Sequence, residues 1–174
     1  MEDHARIETE VKLRLPSLEG LSARLEALGF IRAVPIQPEL SVLWDRGQEL
    51  LDQGRALRVR RYAGRAWLTW KGPKIPDAML KIRPEEETEI TDPAALDRIL
   101  EALGFSPVMH MEKLRGLMER ADLVACLDET PFGCFLELEG EPQSIREAMT
   151  ALGLSAEAAE PKSYPTLFRE HGLA

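Results

Sequence analysis

The sequence predicts an α+β fold built on an antiparallel sheet of eight strands. Three observations point there: the order of its apolar periodicities, the placement of its turn residues, and strand faces that carry charge of one sign at a time. Arg6–Leu15 alternates as a strand. Leu18–Gly29 then reads as an amphipathic helix, with a glycine after its last periodic residue. A run of strands follows at Gln37–Arg46, Arg55–Tyr62, Ala66–Lys71 and Met79–Ile90. Leu96–Gly104 forms a second helix, introduced by Asp92-Pro93, and it repeats the Glu-Ala-Leu-Gly-Phe ending of the first. Val108–Glu119, Leu123–Thr130 and Phe132–Gly140 complete the strands, and a third helix runs from Pro142 to about Leu152. Gly64, Pro73 and Pro131-Phe132-Gly133 mark turns. A strand, a helix, a run of strands, a helix and more strands is the order of an antiparallel sheet, not of repeated parallel βαβ units.

A chain of 174 residues suits one domain, here residues 1–174. Hydrophobic residues at 44% and charged residues at 30% belong to an ordered, soluble chain. The net charge of −8 argues against a nucleic-acid polymer as partner, but not against a small polyanion met by local bases. No apolar run approaches a membrane span and the first residues carry no signal-peptide pattern, so a cytoplasmic protein is expected. Cys126 and Cys134 lack metal-knuckle spacing and read as free thiols.

Parity along the strands sorts the charges. Glu8, Glu10 and Lys12 share one face of the first strand; Arg58 and Arg60 share one face of the third; Thr69 and Lys71 share one of the fourth. The fifth carries Lys81, Arg83, Glu85, Glu87 and Glu89 on one side. Lys113 and Arg115, Asp128, and Glu137 with Glu139 follow on the last three. A solvated face explains any one such strand. Glu-x-Glu on three separate strands, with basic-x-basic pairs on others, is harder to explain that way, because like charges two residues apart repel unless something compensates them. Divalent cations would compensate the acids and a polyphosphate the bases. Closing the sheet with its charged face inside would bring both sets around one ligand.

Ile7-Glu8-Thr9-Glu10-Val11-Lys12 resembles the Glu-x-Glu-x-Lys signature of the CYTH superfamily, the triphosphate tunnel metalloenzymes. Ala56–Arg60, Leu68–Pro73, Lys81–Glu87, Glu112–Arg115 and Leu127–Glu139 resemble the family's later motifs in family order. Lys162-Ser163-Tyr164 is similar to the ending of the class IV adenylyl cyclase branch. The resemblance implies an eight-stranded antiparallel β-barrel, or tunnel, with helices outside. It implies Mg2+ or Mn2+ held by Glu8, Glu10, Asp128, Glu137 and Glu139, and a triphosphate held by Lys12, Arg58, Arg60, Lys71, Arg83, Lys113 and Arg115. Lys71 and Lys12 are the candidate catalytic lysines, and Glu85 and Glu87 match tunnel acids whose role varies. Hard oxygen ligands without Cys or His suit such cations.

The activity expected from the resemblance is conversion of ATP to cyclic AMP and pyrophosphate, by a monomer or homodimer. A triphosphatase acting on an inorganic or organic triphosphate is the alternative, and a non-catalytic polyphosphate or nucleotide binder is a third reading. Leu43 stands where thiamine triphosphatases carry a tyrosine, which disfavours thiamine triphosphate. Trp44, Met109, Met111 and Met118 read as packing residues, His4 and His171 as solvated, and His110 as facing away from Lys113. Tyr164 is expected to dock the C-terminal segment or to close a tunnel mouth.

Overall fold

The structure is a computed structural model that describes residues 6–173, so His4 lies outside the described residues. Eight antiparallel strands run β1 (Arg6–Leu15), β2 (Ile31–Asp45), β3 (Ala56–Tyr62), β4 (Arg65–Lys71), β5 (Lys81–Glu89), β6 (Ser106–Arg120), β7 (Leu123–Thr130) and β8 (Gly133–Gly140). They close into a barrel in the order β1-β5-β4-β3-β2-β6-β7-β8. Closure leaves no exposed sheet edge along the paired segments. It also makes the parity of each strand decisive, since alternate residues must face either the interior or the outside.

This barrel is turned inside out in polarity. Val11 and Leu13 of β1, Ala125 and Leu127 of β7, and Leu136 and Leu138 of β8 form one buried cluster on the outer wall. That cluster is covered by α1 (Leu21–Ala27), through Leu21 and Leu25, and by α4 (Pro142–Ala151), through Ile145, Ala148 and Met149. On another side Val42, Trp44 and Val59 pack under Leu100 of α3 (Pro93–Ala102). Trp44 is therefore an outer-core residue, as expected. Asp92 caps α3 by accepting from the Ala95 amide at 2.8 Å, with Pro93 in the first turn. With apolar surface satisfied outside, the charged faces are left to the interior.

Three features depart from the sequence reading. β2 begins at Ile31 rather than Gln37, and it passes Pro35 through a register shift between Val34 and Gln37. That half of β2 pairs with β6, while its pairing with β3 starts only at Glu39, so its prolines need no donor on that side. Gly116 of β6 permits the close approach there, since a Cβ would meet Ile36 Cγ1 at 2.8 Å. Two short helices were also not expected. α2 (Glu49–Asp52) follows β2, and α5 (Tyr164–Glu170) lies in the C-terminal segment beyond a 3-10 turn at Ala156–Ala158. Among the described residues no helix is long and apolar enough to cross a membrane.

Candidate functional site

The inward residues surround a cavity of about 840 Å3 that runs through the barrel. Cross-strand register sets acid against base along its walls. Glu8 lies opposite Arg83 and Glu10 opposite Lys81 across β1 and β5. Lys12 lies opposite Glu137, Lys71 opposite Glu85, Glu39 opposite Lys113, and Arg115 opposite Asp128. Opposed charges in such pairs stabilise a sheet and like charges destabilise it. One pair breaks this pattern: Glu10 and Glu139 face each other across β1 and β8. Burial, Glu8 and Glu10 together raise the Glu139 carboxyl above the usual carboxylate range.

Two groups of ion pairs result. In the first, the Arg115 guanidinium donates to Asp128 through Nε at 2.7 Å and Nη2 at 2.5 Å, and it also reaches Glu137. Lys113 Nζ is 3.0 Å from Asp128, and the Tyr164 hydroxyl donates to the same carboxylate at 2.5 Å. Lys12 Nζ lies 3.5 Å from Glu137. Asp128 and Glu137, two of the residues expected to bind metal, are thus already met by cations of the chain. Glu39 joins this group: burial would raise its carboxyl, but Lys113, Arg115, Arg58 and Arg60 hold it down at about 2.

In the second group Lys71 donates to both oxygens of Glu8 at 2.7 and 2.8 Å and lies 2.6 Å from Glu85. Burial and Arg58 lower the Lys71 ammonium, yet Glu8, Glu10 and Glu85 outweigh them and keep it raised. Lys12 behaves in the opposite way. Burial, reinforced by Lys81 and Lys113, pulls it down to about 7 despite Glu137 and Glu10. Glu87 receives both hydrogen bonds from Arg60 Nη2, at 3.0 and 3.1 Å, and lies 3.6 Å from Arg58. It orients the two arginines. Arg83 is turned toward the β4–β5 loop, donating to the Gly72 carbonyl at 3.0 and 2.8 Å.

What the chain leaves unsatisfied is informative. Arg58 Nε, Arg60 Nε and Lys81 Nζ are buried without hydrogen-bond partners, and Lys81 stands 3.3 Å from Glu10 without hydrogen-bond geometry. A buried donor left unmade costs about 1–3 kcal/mol, so such groups in a cavity wall mark where an acceptor is wanted. On the opposite sign, Glu8, Glu10 and Glu139 form a cluster of hard oxygen donors, and burial, offset by Lys71 but aided by Glu85, raises the Glu8 carboxyl as well. Among the described residues no three acids stand within reach of a single ion as they lie, because Lys71 and Lys81 intervene.

Every basic residue named from the sequence faces this interior or its ion pairs. Lys81, placed by parity on the charged face, has no site role in the sequence reading, and Glu39 has no place in it. Lys81 shares parity with Arg83 and was legible, whereas Glu39 is a lone acid on its strand and gave no repeated pattern. Tyr164 both docks α5 and enters the site, with Lys12 Nζ 3.3 Å and Lys113 Nζ 3.9 Å from its ring centroid. Met109 and Met111 line the cavity rather than the outer core, since they share parity with Lys113. Met118 packs on the outer wall and His110 is exposed. His171 is exposed too, though it stacks on Phe132. Both cysteines are free, and burial pushes the Cys126 thiol up to about 12.

A closed barrel with its apolar face outside and paired charges within defines a charged-tunnel protein. The chain belongs to the CYTH domain family, whose family model matches residues 6–164. It is 29% identical over 170 residues to a Methanocaldococcus jannaschii protein named "putative adenylate cyclase", covering 91% of this chain and 96% of that one. A Vibrio parahaemolyticus structure bearing the same description superposes with a TM-score of 0.82 at 21% identity, covering 95% of this chain and 99% of the other. A Hippeastrum structure, described as a "putative adenylyl cyclase" revealing a dominant triphosphatase activity, gives 0.69 at 21% identity and covers 94% and 96%.

Proposed function

We propose that this chain is a divalent-metal-dependent enzyme that takes a triphosphate into its tunnel and converts ATP to cyclic AMP and pyrophosphate. The observation that carries the reading is the pairing of two unmet demands in one cavity. Arg58 Nε, Arg60 Nε and Lys81 Nζ lack a hydrogen-bond acceptor, and Glu10 and Glu139 oppose like charges across β1 and β8. A metal–triphosphate complex supplies both charges at once. Glu8, Glu10 and Glu139 would hold Mg2+ or Mn2+, which when bound neutralises phosphate oxygens. Arg58 and Arg60, oriented by Glu87, and Lys81 would hold the phosphates, with Lys12, Lys113 and Arg83 beside them. Lys71, kept protonated by Glu8 and Glu85, serves as a fixed positive charge. In the cyclase reaction a ribose hydroxyl attacks the α-phosphorus and pyrophosphate leaves.

The triphosphatase reading is supported by the Hippeastrum relative's described activity. The two reactions use the same phosphate and metal positions and differ in which nucleophile lies in line. Incubation with ATP, and separately with tripolyphosphate, with Mg2+ or Mn2+ tests both. Cyclic AMP with pyrophosphate supports the cyclase, and orthophosphate selects the triphosphatase. Binding without turnover would make the chain a polyphosphate or nucleotide binder.

A further inference from the structure

One lysine of the cavity wall belongs to no strand. Lys74 lies in the loop between β4 and β5, outside the strand faces and outside the motifs, yet it lines the tunnel. The loop is fixed on both sides of it. The Gly72 amide donates to the Pro84 carbonyl at 2.8 Å, and the Arg83 guanidinium donates to the Gly72 carbonyl through Nε and Nη2. One residue beyond Lys74, Ile75 bridges to Ile82 through an amide–carbonyl bond of 2.7 Å. The Asp77 carboxylate then accepts from the amides of Met79 and Leu80 at 2.9 and 2.7 Å, and Leu80 is buried in the outer core. Pro73 and Pro76 restrict the backbone further. Lys74 is exposed, but its backbone holds it at the rim.

Its surroundings are cationic. Burial, Lys81 and Arg83 lower the Lys74 ammonium, against Glu10. Glu10 already stands 3.3 Å from Lys81, and Lys81 Nζ is itself buried without a hydrogen-bond partner. Among the described residues no carboxylate forms an ion pair with Lys74. Cations gathered around so little negative charge repel one another unless an anion joins them. Register gives the depth of this group in the tunnel. Lys71, the last residue of β4 before the loop, pairs with Ala56, while Thr69 pairs with Arg58 and Trp67 with Arg60. The two arginines therefore lie successively deeper than the strand end from which the loop departs. We propose that Lys74 reads the length of a phosphate chain: it binds the outermost phosphate of three seated on Arg58 and Arg60, and a chain of two seated there falls short of it. The inference rests on the triphosphate reading above and assigns a specificity role to a residue outside its motifs.

Isothermal titration calorimetry with Mg2+ tests this, using tripolyphosphate and pyrophosphate on the full chain. Lys74→Ala changes an exposed loop side chain and leaves the fold intact. It should weaken tripolyphosphate by about tenfold or more, as expected for one lost charge-assisted contact, and pyrophosphate by less than about threefold. Lys74→Arg keeps the charge and should hold tripolyphosphate within about threefold of wild type. Arg98→Ala removes the same charge from the exposed side of α3, away from the cavity, and should move neither anion. Tripolyphosphate binding unchanged in Lys74→Ala overturns the assignment and leaves the triphosphate reading standing. Equal losses for both anions, or a loss in Arg98→Ala matching that in Lys74→Ala, overturn it too, because Lys74 would then act only through the general field of the protein. Wild-type protein that fails to bind tripolyphosphate overturns both the length reading and the proposed function.

Discussion

Lys71 and Lys12 carry the same ammonium group under opposite conditions. Lys71 is buried among Glu8, Glu10 and Glu85 and holds its proton more firmly than a free lysine, while burial brings Lys12 down to about 7. A lysine that firmly protonated contributes charge, and arginine supplies the same charge. Lys71→Arg should therefore keep turnover within about tenfold of wild type and keep triphosphate affinity. Steady-state kinetics with ATP checks this, and a tightly binding but inactive variant would assign proton transfer to Lys71. Glu139 makes the complementary case among the acids. Its folded carboxyl is raised by burial and by Glu8 and Glu10, so it destabilises the metal-free fold once ionised. The sign follows directly: stability tied to this group falls as pH rises from the ordinary carboxylate value to the raised one. Glu139→Gln should raise the melting temperature without metal by about 2–4 °C, for a gain of roughly 1 kcal/mol in a chain of this size. Activity should be lost in the same variant. A melting temperature unchanged or lowered at pH 7 would mean that Glu139 is already compensated within the chain.

At the scale of elements, α5 does more than end the chain. Ser163 caps it, Phe168 seats it against Met109 and Met111, and Tyr164 extends from its first turn to Asp128 between two lysines. Burial, Glu137 and Asp128 hold the Tyr164 phenol well above its usual range, so it acts as a donor. Tyr164→Phe keeps the ring against Lys12 and Lys113 and should retain most triphosphate affinity. Tyr164→Leu removes ring and donor together and should raise KM several-fold more than Tyr164→Phe does, on cation–ring contacts of about 0.5–2 kcal/mol each. Equal KM effects in the two variants would limit Tyr164 to docking α5. Docking of the C-terminal segment by Tyr164 matches the sequence reading, whereas the helix that carries it is not legible there, because seven residues give too few periods to register. The strands were far more legible. β1 and β7 match the sequence reading end to end, since two-residue alternation persists over their whole length. β2 was cut short at Gln37 because Pro35 and Pro38 suppress a strand reading, and only the one-sided pairing with β6 makes them tolerable. Parity identified the charged face correctly. Which acids are held by Arg115 and which are met by Lys71 or Lys81 depends on cross-strand partners that parity does not reveal.

The whole molecule reverses the usual arrangement of polarity. Helices cover the apolar outer wall of the barrel, and the interior is a lattice of opposed charges, several of them nearly inaccessible to solvent. Like charges along a single strand suggested that the interior would depend on ligands for compensation. Register shows that the chain compensates most of it alone. Buried ion pairs of this kind add little net stability over apolar packing, yet breaking one by removing a partner is costly, because the other charge stays buried. Glu39 is the clearest test. It is 3% exposed, faces Lys113 and Arg115, and its carboxyl is held at about 2 against an ordinary value of 4.5. A depressed carboxyl contributes stability that is fully present above its unfolded value and is lost as pH falls through the folded one. The window here runs from about 4.5 down to about 2. The shift corresponds to something on the order of 3 kcal/mol at neutral pH. Glu39→Gln should accordingly destabilise the protein by about that much at pH 7 in urea unfolding. At pH 3 more than half of the difference should be gone, as the wild-type advantage is itself titrated away. An equal cost at both pH values would show that Glu39 stabilises the barrel through hydrogen bonding and packing rather than through its charge.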